Sequence, residues 1–226
     1  MKIKTSEKLK ILSRSSNAFT DRVEAGELLA EALIDHAGPQ TVILGIPRGG
    51  LVVAREVAYR LKAPLDIVLS RKLGAPQNPE LAIGAITEEG EVFLDQSLAR
   101  RVGASEAYLQ QESRDQLQEI QRRSGVYRSI RPKIDLRDKD VIVVDDGVAT
   151  GSTVQAALWS VAQEKPRKIT GAFPVGAEDS LLRLCATADE IICLRVPPVL
   201  GGVGGFYFHF TQVSDEEVLN ILSNIT

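Results

Sequence analysis

Residues 141–153 read VIVVDDGVATGST, a stretch in which four branched aliphatic residues run into two adjacent acids and then into small residues. An uninterrupted apolar run of this kind is typical of a strand buried on both faces, as in a parallel sheet. The small residues that follow predict a loop leading into a helix that begins near Ser152. We therefore expect Asp145 and Asp146 at the carboxyl edge of a parallel sheet, where open α/β folds bind their ligands.

The loop after the two acids has the chemistry of a phosphate site. It offers consecutive backbone N–H groups with little side-chain bulk, a helix N-terminus, and the hydroxyls of Thr150, Ser152 and Thr153. Carboxylates beside an anion site make sense when the other end of the same ligand carries neutral hydroxyls or magnesium. A ribose 5-phosphate unit has this polarity. The alternative is an ordinary strand-to-helix turn with two solvated acids.

Composition bounds the class of protein. The 226 residues are 44 % apolar and 25 % charged, as in an ordinary globular α/β domain. No segment approaches the roughly 18 consecutive apolar residues of a membrane span, and the basic N-terminus MKIKTSEKLK is not followed by a signal-like apolar run. We expect a cytoplasmic protein with no membrane partner. A net charge of −3 gives no reason to expect nucleic-acid binding.

Short aliphatic runs alternate with helical patterns along the chain, which predicts an α/β fold with a central, mainly parallel sheet flanked by helices. Residues 1–18 are interpreted as a polar extension and residues 19–226 as one domain. LAIGAIT (81–87) and EVFLD (91–95) predict a hairpin. The predicted strands are TVILGIP (41–47), LDIVLS (65–70), VIVVDD (141–146), KITGAFPVG (168–176) and EIICLRVPP (190–198).

Two further segments can face the same edge of the sheet. GIPRGG (45–50) lies between a predicted strand and a predicted helix, and Arg48 adds a cation suited to pyrophosphate. SRKLGAPQNPE (70–80) is predicted as a strand end with Arg71 and Lys72, followed by a long flexible loop that can close over a site. The alternative for Arg71 and Lys72 is a solvated basic pair.

VIVVDDGVATGST resembles the phosphoribosyl pyrophosphate (PRPP) signature of type I phosphoribosyltransferases. DRVEAGELLAEAL (21–33), RKLGAPQNPELAIGAI (71–86), EIQRRSGVYR (119–128) and SDEEV (214–218) are similar to a less characterised branch of predicted phosphoribosyltransferases, and the likeness covers the chain from about Phe19 onward. The resemblance implies the type I phosphoribosyltransferase fold with a small hood subdomain. We expect residues 81–130 and 199–213 to form this hood.

The resemblance also implies roles for residues. Asp145 and Asp146 would hold the ribose hydroxyls, and Arg71 and Lys72 would contact the leaving group. These four are the expected catalytic residues. The ribose 5-phosphate would bind at Ala149, Thr150, Gly151, Ser152 and Thr153. The pyrophosphate would bind at Pro47, Arg48, Gly49 and Gly50. Mg²⁺ is the expected cofactor, held mainly by PRPP near the two acids and without direct protein ligands.

The implied function is Mg²⁺-dependent transfer of 5-phosphoribose from PRPP to a nitrogen acceptor in nucleotide metabolism, with a homodimer as the expected assembly. Transferases of 6-oxopurines usually carry an acid where this chain has Ala149, and alanine cannot accept a proton, which argues against hypoxanthine or guanine. The alternative function is a PRPP- or nucleotide-binding regulator that makes no product. Phe206, Tyr207 and Phe208 offer either a stacking face for a base or ordinary core packing.

Overall fold

A six-stranded sheet, parallel throughout, forms the centre of the protein in the computed structural model, which describes residues 7–224. Within that part of the chain the strands are β1 (Leu9–Ser13), β2 (Thr41–Gly45), β3 (Leu65–Ile67), β4 (Ser70–Ala75), β5 (Asn78–Thr87), β6 (Val92–Leu94), β7 (Asp140–Val144), β8 (Lys168–Val175) and β9 (Glu190–Arg195). The order across this sheet is β1-β9-β8-β7-β2-β3. The predicted central parallel sheet is confirmed.

Helices cover both faces of the sheet. In the described residues they are α1 (Arg22–Ala32), α2 (Gly49–Leu61), α3 (Gln96–Arg101), α4 (Glu106–Tyr127), α5 (Ser152–Gln163), α6 (Glu178–Leu184) and α7 (Asp215–Ser223). Strand β7 shows why two layers are needed: Ile142 and Val144 pack in the core on one face, whereas Val141 and Val143 pack in the core on the other. Successive side chains of a strand point to opposite faces, so an aliphatic run without alternation requires cover on both. None of these helices is long and apolar enough to cross a membrane.

The N-terminal segment differs from the prediction of a polar extension over residues 1–18. Leu9–Ser13 form edge strand β1, which pairs in parallel with β9. Leu9 and Ile11 pack against the core while Lys10 and Leu12 stay exposed, the alternation of a half-buried edge strand. The alternation is hard to detect in the sequence because the strand is short and lysines flank its apolar residues. Residues 1–6 lie outside the described residues.

A second sheet, antiparallel and of order β4-β5-β6, stands beside the first. The predicted hairpin of residues 81–95 is present as β5 and β6. The prediction of a long flexible loop after Lys72 is wrong, because β4 and β5 pair as a hairpin that turns at residues 76 and 77. A Cβ on Gly74 would lie 2.8 Å from the carbonyl oxygen of Pro79, and the register shifts at this glycine. Gly74 thus marks a β-bulge rather than a loop.

Buried charges fix the second sheet and helix α4 to the first. Asp66 of β3, only 1 % exposed, accepts a 2.6 Å hydrogen bond from Nη1 of Arg128. Nη2 of the same arginine donates to Glu88, in the β5–β6 turn, at 2.8 Å. Asp66 also accepts from the backbone N–H of Ile134 at 2.9 Å. One guanidinium therefore joins the edge of the parallel sheet, the β5–β6 turn and the end of α4.

Replacing Arg128 by Met is expected to lower the free energy of unfolding by about 3–5 kcal/mol, because it leaves the buried carboxylate of Asp66 without a cation, whereas Glu88 keeps Lys133 at 3.7 Å. Urea unfolding followed by circular dichroism measures the change. Arg167→Met is the control, since it breaks an exposed pair with Asp140 and should have little effect. Equal effects of the two substitutions would contradict the anchoring role of Arg128.

Candidate functional site

The two strands that carry the acidic and glycine motifs are neighbours and end together. In the pairing of β2 with β7, Gly45 lies opposite Val144, so GIPRGG and DDGVATGST leave the sheet side by side at its carboxyl edge. A Cβ on Gly50 would lie 2.7 Å from Oδ1 of Asp145, and one on Gly49 would overlap Oδ2 of Asp146. The glycine pair therefore allows the acids to approach the start of α2. The peptide bond between Pro47 and Arg48 is cis.

Asp146 is held at both its carboxylate and its backbone. Its Oδ2 accepts a 2.8 Å hydrogen bond from Nε of Arg22, the first residue of α1. Its carbonyl oxygen accepts a 2.6 Å bond from the hydroxyl of Tyr207. Its N–H donates to Oδ1 of Asp145 at 2.9 Å. The two acids thus occupy a fixed, half-buried arrangement and are not the freely solvated side chains of an ordinary turn.

Burial dominates the electrostatics of this pair. Loss of solvent raises the pKa of Asp145 well above its ordinary value, and the neighbouring charge of Asp146 raises it further. Burial also raises the pKa of Asp146, against the opposing effect of Arg22. Both carboxyls are therefore less acidic than in water. A ligand that donates hydrogen bonds or brings a cation would favour their charged form.

The predicted phosphate loop begins α5. Gly151, at φ +78°, occupies the N-cap position of the helix, a left-handed conformation that glycine adopts without strain. Helix α6 restrains the loop through two hydrogen bonds. Ser180 Oγ donates to the carbonyl of Ala149 at 2.6 Å, and Arg183 donates to the carbonyl of Thr150 at 3.1 Å. Binding the carbonyls on one side leaves the hydroxyl of Thr150 and the helix N-terminus for an anion.

A cavity of about 250 Å³ lies where the predicted segments meet. Pro47 comes from the glycine loop, Thr153 from the phosphate loop, and Arg71 and Lys72 from β4. Arg71 Nε donates to Gln116 of α4 at 2.8 Å. The structure thus brings Arg71 and Lys72 to one cavity with Pro47 and Thr153, on a strand rather than at the start of a mobile loop, whereas Asp145 and Asp146 do not line this cavity. Helix α4 adds Gln116, Ile120 and Arg123 to the wall.

The β4–β5 hairpin reaches the phosphate loop. Ser152 Oγ donates to the carbonyl of Glu80 at 2.6 Å, and the carboxylate of Glu80 pairs with Lys72 at 2.9 Å. On the far side of the hairpin, Phe93 of β6 contacts Trp159 of α5 with ring centroids 5.0 Å apart. The hairpin and β6 therefore contact α5 beside the cavity.

Sequence reasoning missed several residues of this site. Arg22 and Arg123 lie on amphipathic helices where a cation normally faces solvent, and Ser180 gives no local signal. The sequence predicts only a stacking or core role for Tyr207. Phe206 and Tyr207 are buried, which agrees with core packing, whereas Phe208 is 75 % exposed. Within residues 7–224, no group of three or more His, Cys, Asp or Glu side chains is placed to hold a metal ion.

Comparison with known proteins identifies relatives of this chain. The family model described as phosphoribosyl transferase domain matches residues 17–195. Two curated proteins of Mycobacterium tuberculosis, from strains CDC 1551 and H37Rv, are 43 % identical over 204 residues, and their names assign them as inferred phosphoribosyl transferases. That alignment covers 90 % of this chain and 46 % of theirs, so the chain spans about half the length of these relatives.

A solved structure resembles the whole fold. The crystal structure of TT1426 from Thermus thermophilus matches with a TM-score of 0.87 and 46 % sequence identity. The match covers 92 % of this chain and 99 % of the other. The arrangement of the two sheets is therefore similar in a protein whose structure is known by experiment.

Asp145→Asn is expected to stabilise the fold, and more so as the pH rises. Because the pKa of Asp145 is raised in the folded state, its ionisation destabilises the fold from about pH 4 upward, until the pH exceeds the raised pKa. Asparagine removes this effect while its carbonyl still accepts the bond from Asp146 N–H, with an expected gain of about 1 kcal/mol near neutral pH.

Urea unfolding at about pH 4.5 and about pH 7.5 measures that dependence. The control is Asp140→Asn. Arg167 lowers the pKa of Asp140, so Asp140 stabilises the fold above its ordinary pKa, and its substitution should act in the opposite direction. A gain for Asp145→Asn that is independent of pH would contradict the electrostatic cause.

Gly49→Ala is expected to cost about 1–3 kcal/mol in the free energy of unfolding, because the added Cβ displaces the Asp146 carboxylate and crowds Arg22. The matched control is Gly125→Ala on exposed α4, where a Cβ meets nothing within 4 Å; this should gain about 0.5–1 kcal/mol. A gain at both positions, measured by urea unfolding, would show that the Asp146 carboxylate moves aside freely.

Proposed function

Because the chain belongs to the phosphoribosyl transferase domain family, we propose that it transfers 5-phosphoribose from PRPP to a nitrogen acceptor, a nucleobase or a related small molecule, with release of pyrophosphate. Two observations carry the proposal. Strands β2 and β7 place the GIPRGG loop beside the acidic pair, and one cavity joins Pro47 of that loop and Thr153 of the loop after the acids to the cationic start of β4. We infer a role in nucleotide metabolism in the cytoplasm.

The proposed subsites follow the polarity of PRPP. Asp145 and Asp146 accept hydrogen bonds from the ribose hydroxyls. The loop from Ala149 to Thr153 binds the 5-phosphate through its N–H groups and the hydroxyls of Thr150 and Thr153, since the Ser152 hydroxyl donates to Glu80. Pyrophosphate lies along the loop from Pro47 to Gly50 and reaches the cavity wall, where Arg71 and Lys72 supply positive charge.

The reaction breaks the bond between ribose C1 and the pyrophosphate oxygen, and forms one from C1 to the acceptor nitrogen. The bonding pair leaves with pyrophosphate, so positive charge develops at C1 while negative charge grows on the leaving group. Arg71 and Lys72 stabilise that negative charge. Asp145 and Asp146 would lie beside Mg²⁺ held by PRPP, and the ion would supply further positive charge to the leaving pyrophosphate. Ala149 offers no base, so the acceptor's proton leaves by another route.

Calorimetric titration of the protein with PRPP and Mg²⁺ tests the proposal. We expect saturable binding, and for Asp145→Asn/Asp146→Asn a loss of at least about tenfold in affinity, because ribose hydroxyls lose charged acceptors. Asp140→Asn, at the opposite end of β7, is the control and should bind as the wild type does. The absence of PRPP binding by a folded wild-type protein would overturn the proposal.

A screen of bases for PRPP-dependent pyrophosphate release separates the enzyme from the regulator. Release with one base and not with others would identify the acceptor. Tight PRPP or nucleotide binding without release from any base would instead favour the non-catalytic regulator.

A further inference from the structure

Arg22 is a buried arginine that contacts the acidic pair from outside the three motifs. It opens α1, 124 residues before Asp146, and its side chain is only 10 % exposed. Its Nε donates to Asp146 Oδ2 at 2.8 Å, and its Nη1 donates to the carbonyl of Thr211 at 2.9 Å. The guanidinium therefore ties the acid at the sheet edge to the segment that follows β9.

Aromatic rings of the same segment fix the plane of this guanidinium. Its central carbon lies 3.9 Å from the ring centroid of Phe210 and 5.9 Å from that of Tyr207. The two rings stack on each other with centroids 5.1 Å apart. Tyr207 also donates its hydroxyl to the carbonyl of Asp146. The segment thus restrains Asp146 twice, directly at its backbone and through Arg22 at its carboxylate.

Such restraint is needed because the two carboxylates are adjacent, half buried and of like charge. Without a cation, Asp146 would turn away from Asp145 or take up a proton. A guanidinium held by two hydrogen bonds and a ring face has one orientation, so it also gives the carboxylate one orientation.

We propose that Arg22 is the positioning residue of the ribose subsite. It holds Asp146 in the orientation that accepts hydrogen bonds from ribose hydroxyls, and the Tyr207–Phe210 pair keeps Arg22 in place. This inference rests on the proposed function, and it assigns to Arg22 no contact with the phosphate groups. Its effect is therefore specific to the part of the ligand that carries the hydroxyls.

The test compares two ligands, ribose 5-phosphate and inorganic pyrophosphate, each titrated calorimetrically with Mg²⁺. For Arg22→Gln we expect about a tenfold loss of affinity for ribose 5-phosphate, the size of one charge-assisted hydrogen bond, and unchanged affinity for pyrophosphate. Retained pyrophosphate binding also shows that the variant is folded. Arg22→Lys can still donate to Asp146 but cannot also reach Thr211, so it should fall between wild type and Arg22→Gln.

The matched control is Arg195→Gln. Arg195 also places its guanidinium on an aromatic ring, 3.6 Å from the centroid of Phe19, and also donates to a backbone carbonyl, that of Asn17 at 2.8 Å. It forms no ion pair with Asp146 in the described residues. Binding of both ligands should remain as in the wild type.

A double-variant cycle identifies the route of the effect. If Arg22 acts through Asp146, then Arg22→Gln/Asp146→Asn binds ribose 5-phosphate no more weakly than Asp146→Asn alone. Additive losses, or an equal loss of pyrophosphate binding in Arg22→Gln and Arg22→Lys, would overturn the inference. Unchanged affinity of Arg22→Gln for ribose 5-phosphate would also overturn the inference. The proposed function would still stand in that case, provided that the wild type binds PRPP. A folded wild type that binds neither PRPP nor ribose 5-phosphate would overturn both.

Discussion

The site depends on one constraint, the placement of two adjacent carboxylates at the end of a strand that is buried on both faces. Strand β7 cannot move its end outward, since Val143 and Val144 are packed in opposite cores. The register with β2 then places the GIPRGG loop against the acids. Only glycine fits where Asp145 and Asp146 meet the start of α2. The geometry of the loops thus follows from the sheet, and the raised pKa values of the acids follow from the geometry.

The second sheet places two cations near that edge. Arg71 and Lys72 lie on β4, and β4 is held over the site by the β5 strand, by α4 and by contacts with α5. Arg128 links the turn after β5 to β3 of the parallel sheet. Because β3 is the edge strand next to β2, this anchor fixes the cationic strand relative to the glycine loop. A strand supported at both ends can position charge more closely than a free loop can.

The sequence predicted what depends on local pattern and missed what depends on distant contacts. The run VIVV identified a doubly covered strand, and the small residues after it identified the start of α5. Strand β1 (Leu9–Ser13) was not predicted because an edge strand needs only two inward apolar residues, and here lysines flank them. The hairpin of β4 and β5 was not predicted because the glycine and prolines of SRKLGAPQNPE are typical of a loop, whereas in the fold Gly74 and Pro79 meet at a bulge. Arg22 lies 124 residues from its partner, and no pattern along the chain reports such a contact.

The contact between Arg22 and Asp146 depends on residues beyond the part of the chain that the family model matches. The matched region ends at residue 195, yet Tyr207, Phe210 and Thr211 all contact Asp146 or Arg22. Asp146 belongs to the motif, but it is held by Arg22 of α1, inside the matched region, and by residues beyond that region. Changes in the segment after β9 can therefore alter the proposed ribose subsite without touching any motif residue. The chemistry of the acids is carried by the family motif, and their geometry in this protein is carried by α1 and by the segment between β9 and α7.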